Sequence, residues 1–177
     1  MSKRLSHERL SPRFGLAGES NDGRPSPVPR EPLVPFATTL IVRDTCLCLH
    51  VQRAARTLAR RFDDALRPLG LTNSQFSLLM ALNRPDPPAM GPVAALLAMD
   101  RTTLTAALKR LEGRGLVDVR RDPADGRSRL LALTPAGEQL LARAVPIWQE
   151  GHARLEAGLS AGHAIRLRQD LAALGEP

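Results

Sequence analysis

Arg101, Thr102, Thr103, Thr105, Lys109 and Arg110 fall within ten consecutive residues and carry the groups that hold a polyanion: hydroxyls, guanidinium and ammonium. Placed at helical spacing, Leu104, Ala107, Leu108 and Leu111 gather on one side. Thr102, Thr105, Ala106 and Lys109 fall opposite, with Arg101, Thr103 and Arg110 flanking, and no Asp or Glu lies on that outer face. Small polar residues with a few cations let a helix sit deep in a major groove. There hydroxyls reach phosphates or base edges, a threonine methyl meets thymine, and Arg or Lys reaches guanine. The competing reading is an ordinary solvated face, which would usually show Glu–Lys pairing. From Arg101 to Arg129 the chain carries eight basic and four acidic residues. Arg127 directly follows Asp125-Gly126, a hairpin-turn signal. A guanidinium on such a tip can enter the narrow minor groove beside the helix, and Arg129 adds a cation two residues on.

The elements that must position these groups belong to a chain of 177 residues with a net charge of +7 and 43% hydrophobic residues. That length supports one cored domain with a tail, and the composition excludes a mostly disordered or collagen-like chain. No apolar run approaches the roughly 20 residues of a membrane span, and the first ten residues lack an apolar signal core. Two cysteines make no disulfide framework, so a cytoplasmic protein is expected. Of 25 basic residues only Lys3 and Lys109 are lysine, and arginine suits phosphate and groove contacts. With 3% aromatics and no tyrosine, single-strand binding by base stacking is disfavoured. Duplex nucleic acid is the partner that fits.

Residues 1–37 hold six of the fifteen prolines without helical or strand periodicity and read as a disordered arm. From about Thr39 a helical stripe of Cys48, Val51, Ala55, Leu58, Phe62 and Ala65 runs to Arg67, where Pro68 should end it. Thr72 to Gln75 has capping-box spacing and opens a short helix, closed by the proline run from Pro85. A third helix is expected at about Pro92 to Ala98, and a fourth from Asp100, as N-cap, to about Gly113. Leu116–Arg120 and Ser128–Leu133 read as a hairpin. Thr134-Pro135 opens a long helix bearing Leu141, Val145 and Trp148. A last helix shows Ala164, Leu167, Leu171 and Leu174. This order predicts a mainly α fold with a small β-hairpin wing: a winged helix-turn-helix flanked by N- and C-terminal dimerisation helices. The end stripes are longer than the central core can cover, so a homodimer is expected.

Five blocks in order carry a resemblance. They are Leu69-Gly70-Leu71-Thr72 with Gln75-Phe76; Met99-Asp100-Arg101-Thr102-Thr103-Leu104-Thr105; Leu111-Glu112-Gly113-Arg114-Gly115-Leu116-Val117; Asp125-Gly126-Arg127; and Leu133-Thr134-Pro135-Ala136-Gly137. Together they resemble the MarR family of multiple-antibiotic-resistance-type regulators. The resemblance implies a MarR-like domain over 38–177, with a winged-helix lobe at 69–134 and dimerisation helices at 39–67 and 135–174. It further implies a homodimer on a pseudo-palindromic operator, usually a repressor, released by a small-molecule inducer. By position, Asp125 and Arg127 are the wing pair, Asp125 orienting an arginine near the recognition helix and Arg127 entering the minor groove. The third helix departs from the family in starting at Met90-Gly91-Pro92, where Thr or Ser is usual.

Cys48 stands where the organic-hydroperoxide-sensing branch of that family has its reactive cysteine, although the tyrosines that hold the thiolate there are absent. Helical spacing puts Cys48 on the buried stripe, where a thiol is normally inert, and Cys46 on the face of Arg53, one turn from Arg43 and His50. Redox sensing by Cys48 or Cys46 thus stands beside inert packing. No base–nucleophile set points to an enzyme, no His/Cys/carboxylate spacing to a metal, and no cofactor is expected. The alternative to a DNA-binding regulator is a winged-helix protein-interaction module without specific DNA binding.

Overall fold

The computed structural model describes residues 32–175; residues 1–31 of the expected arm lie outside the described residues. Where periodicity predicts one helix from Thr39 to Arg67, the chain forms α1, Phe36–Thr45, and α2, Leu47–Leu66. Cys46 lies extended between them (φ −73°, ψ 105°) as the N-cap residue of α2. A single extended residue leaves no Pro or Gly signal, so the spacing of side chains could not show the break. No residue of α1 is buried, and Phe36, Ile41 and Val42 are exposed.

α2 stops at Leu66 and passes into a 3-10 turn, Arg67–Leu69, that ends on left-handed Gly70 (φ 64°). Pro68 fits such a turn because it has no N–H to satisfy. The capping box at Thr72 is formed: its hydroxyl accepts from Gln75 N–H (3.2 Å) and its own N–H donates to Gln75 Oε1 (3.1 Å). Asp63 of α2 accepts the Asn73 N–H at 2.6 Å, fixing α3, Asn73–Leu82, to α2. α4 runs Met90–Leu96, starting two residues earlier than predicted, with Ala89 as an N-cap that offers no side-chain bond. Pro92 is tolerated because it stands in the first turn, where N–H groups lack helical partners. Ala98, at φ 50°, then turns the chain into α5, Arg101–Glu112.

β1, Val117–Arg121, pairs antiparallel with β2, Arg129–Leu133, from Val117 opposite Leu133 to Arg121 opposite Arg129. The Pro85–Pro88 run does more than stop α3. Ala89 bridges Leu130, and Pro88 O accepts the Leu131 N–H at 3.0 Å, adding a short third rung to the wing. α6, Pro135–Ala157, continues through Pro146, and α7 spans His163–Gly175. The core gathers Leu66, Leu71, Phe76, Leu78, Leu79, Leu82, Val93, Leu104, Leu108, Leu111, Val117, Leu131 and Leu141 from α2 to α6 and holds no polar side chain. Trp148 packs on its rim, stacked against Phe76 with centroids 6.1 Å apart.

The wing meets α6 through one tight joint. Thr134 N–H donates to Leu116 O (3.1 Å), its hydroxyl donates to Gly115 O (2.6 Å), and that hydroxyl accepts from Gly137 N–H (3.1 Å). A β-carbon on Gly137 would stand 2.1 Å from Leu116 O. Replacing glycine by alanine normally favours a helix by about 1 kcal/mol. Here we expect Gly137→Ala to destabilise by roughly 1–3 kcal/mol, the usual cost of overpacking. A lowered urea midpoint checks this; an unchanged or raised midpoint refutes it.

Candidate nucleic-acid interface

α5 offers its outer face to solvent as the spacing predicts: Arg101, Thr102, Thr103, Thr105, Ala106, Lys109 and Arg110 are all exposed, while Leu104, Leu108 and Leu111 are buried. Asp100 caps the helix, accepting the Thr103 N–H at 2.8 Å and the Thr103 hydroxyl at 2.7 Å. Those two bonds, the hydroxyl's foremost, hold the Asp100 carboxyl below the usual carboxylate range. An N-cap carboxylate also faces the positive end of the helix dipole.

The three threonines therefore differ in what they offer. Thr103 spends its proton on Asp100, and Thr105 donates to Arg101 O at 2.7 Å. A phosphate needs donors, so these two present lone pairs and methyl groups, suited to base amino groups and thymine methyls. Thr102 has no side-chain hydrogen bond among the described residues, so its hydroxyl can donate. Sequence spacing puts Thr102 and Thr105 together on the outer face; only the bonding separates them.

The wing tip spans residues 122–128, wider than a two-residue Asp-Gly turn, and Gly126 is not in the left-handed region. Two aspartates build it. Asp122 accepts the Ala124 N–H (2.8 Å) and Asp125 accepts the Arg127 N–H (3.0 Å), while Ser128 and Asp122 close the neck. Asp125 forms no ion pair with an arginine among the described residues; its carboxylate shapes the turn that carries Arg127 instead. The Arg127 side chain is exposed and forms no ion pair among the described residues. Lys109, Arg110 and Arg129 likewise have no ion pair among the described residues. Lys109 and Arg129 come together across a cleft of about 450 Å³ whose walls include Thr105, Glu112 and Val119. Arg114 has a different task. Its Nη1 makes a long bond to Gln75 Oε1 (3.5 Å), linking the end of α5 to the capping box of α3. Charge counting could not tell this buttressing arginine from the free ones.

The cysteines sit otherwise than predicted. Cys48 is exposed and Cys46 half-buried. The stripe on α2 is covered by the core only at Phe62 and Leu66, so Cys48, Val51 and Leu58 stay uncovered in one copy of the chain. Gln52 Nε2 donates to Cys48 Sγ at 3.2 Å. Among the described residues no group of His, Cys and acidic side chains could hold a metal ion. No helix among them is long and apolar enough to cross a membrane.

The chain is similar to known proteins in sequence and in fold. The chain is similar to an HTH-type transcriptional regulator of Bacillus subtilis, YwoH, at 34% identity over 51% of this chain and 65% of that protein. It thus spans just under two thirds of that relative's length. An organic hydroperoxide resistance transcriptional regulator of the same organism is 32% identical over 57% of this chain and 69% of its own length. Among solved structures, the Mycobacterium tuberculosis transcriptional regulator MosR in complex with DNA superposes with a TM-score of 0.67. It is 40% identical, over 73% of this chain and 93% of MosR. These relatives are named as transcription regulators, not enzymes. The sequence profile of the MarR family matches residues 69–128, the stretch from the end of the 3-10 turn to the wing, and the chain belongs to the MarR family.

Proposed function

We propose that the chain is a cytoplasmic homodimer that binds a pseudo-palindromic operator in double-stranded DNA and acts as a transcriptional repressor. The observation that carries this reading is the exposed, acid-free outer face of α5 beside unpaired Arg127. In this reading Arg101, Thr102, Thr103, Thr105, Lys109 and Arg110 lie in the major groove. Arg127 enters the adjacent minor groove on the turn shaped by Asp125, and Arg129 meets the backbone. The domain division follows the same logic: 69–134 binds DNA, while 39–67 and 135–174 join two copies. The uncovered apolar residues of α2, with Ile165, Leu167, Leu171 and Leu174 of α7, support a second copy as their cover. Two recognition helices then meet major grooves about one turn, roughly 34 Å, apart.

Release by a small-molecule inducer is supported by an apolar cavity of about 370 Å³ between α3, the end of α4 and α6. Its lining includes Phe76, Met80, Leu96, Leu97, Val145 and Trp148. Leu96 and Leu97 lie just before the Ala98 turn into α5, so a filled cavity would move the recognition helix. Release by oxidation would act at Cys48, whose Sγ takes a hydrogen bond from Gln52 Nε2: its thiolate would attack an organic hydroperoxide, giving a sulfenate and the alcohol.

Selection of duplexes from a random pool should recover an inverted repeat; recovery of nothing specific, with only salt-labile binding, favours a protein-interaction module instead. On the recovered repeat, Arg127→Ala should cost about 1–3 kcal/mol of affinity, and unchanged affinity at moderate salt removes the wing from the interface. Trp148 is the one tryptophan of the chain. Planar apolar ligands should quench its emission and release DNA over the same concentration range; quenching without release leaves the cavity no regulatory part. Organic hydroperoxide should weaken DNA binding by the parent protein and spare Cys48→Ser; equal loss in Cys48→Ser moves the reading to Cys46, and equal loss in Cys46→Ser as well ends it.

A further inference from the structure

The strands of the wing continue past the core. Val117 and Leu131 are buried, and Val119, on the same face as Val117, lines the cleft beside α5. Side chains alternate along a strand, so Arg121 follows Val117 and Val119 on that face. Its partner in the ladder is Arg129, itself on the wall of the cleft that holds Lys109 and Thr105. Arg120, on the opposite face, is neutralised by Asp118 at 3.0 Å. Arg121 and Arg129 have no such partner among the described residues. Two arginines thus stand opposite each other at the end of the ladder, one of them on the wall of the cleft between the wing and α5.

Like charges directly opposed across a ladder are destabilising. Asp118 pairs with Arg120, Asp122 and Asp125 accept backbone N–H groups, and among the described residues none of the three forms an ion pair with Arg121 or Arg129. The acid that lines the cleft is Glu112, at the C-terminal end of α5, which shares it with Lys109 and Arg129. A phosphodiester bridging both guanidinium groups would take up the charge by paired charge-assisted bonds.

We propose that Arg121 and Arg129 form a phosphate clamp that grips one backbone phosphate of the bound duplex, separately from the groove contacts of α5 and Arg127. Arg121 is a new assignment, and the clamp rests on the DNA-binding reading above. It carries no sequence information; it fixes how far the wing enters the duplex, as phosphate contacts generally set register. The free protein keeps the repulsion, and the complex loses it.

Two readouts with opposite signs test this. Affinity for a labelled mixed-sequence duplex is followed against salt concentration for the full chain, for Arg121→Gln, Arg129→Gln and the double variant. Losing one phosphate contact flattens the plot of log affinity against log salt by about 0.9. Each single variant should flatten it, and the double variant should lose less than the two losses added, because both residues hold one phosphate. The same single variants should unfold at higher temperature than the parent without DNA. Unchanged slopes with a parent that binds overturn the clamp alone, and strictly additive losses replace it with two independent contacts. A parent chain that binds no duplex overturns the DNA-binding reading, and the clamp with it.

Discussion

The Leu116 carbonyl is the point on which the rest of the molecule turns. It accepts the Thr134 N–H and occupies the space that a side chain at residue 137 would need. Gly115, left-handed at φ 68°, presents the neighbouring carbonyl to the Thr134 hydroxyl. The end of α5, the first strand of the wing and the first turn of α6 are thereby held within one hydrogen-bonded joint. Everything proposed for DNA binding lies on one side of it. The long helix that supports the core lies on the other. Because no polar side chain is buried in the core among the described residues, apolar packing alone would leave the angle between these parts weakly specified, and the joint supplies the direction.

Around that frame the acidic residues are consumed by local structure. Asp63, Asp100, Asp122 and Asp125 each accept backbone N–H groups, and Asp118 pairs with Arg120. The other cations of the wing and α5 are left without ion pairs among the described residues, Glu112 being the acid that lines the cleft with Lys109 and Arg129. A modest excess of charge for the whole chain thus becomes a concentrated one where α5 meets the wing. Such a surface lowers the stability of the free protein a little and raises its attraction for a polyanion, an exchange common at functional sites.

The outer helices show the opposite imbalance, apolar residues without cover. α7 buries none of its residues, yet Arg168 reaches Glu156 of α6 and lowers the pKa of that carboxyl, with His152 beside it at 3.4 Å. A polar anchor therefore sets the orientation of an apolar face that one copy of the chain leaves open. The exposure of Cys48 has the same origin: the stripe it belongs to outruns the core.

The sequence by itself determined the order of elements from α3 onward, the buried side of α5, the caps at Thr72, Asp100 and Thr134 and the exposure of Arg127, because each rests on spacing along a single element. It could not show the break at Cys46, the third rung at Pro88–Ala89, or the wide tip behind Asp125-Gly126. These depend on partners distant in the chain, or on a backbone angle that no residue type signals. Which threonine keeps a free proton was settled by bonds inside α5 and its cap, and only the tertiary structure decided which arginines stand alone. It also decided that Arg121 faces Arg129 across the wing, because a ladder's register is fixed by the packing of Val117 and Leu131 into the core, not by the charges at its end.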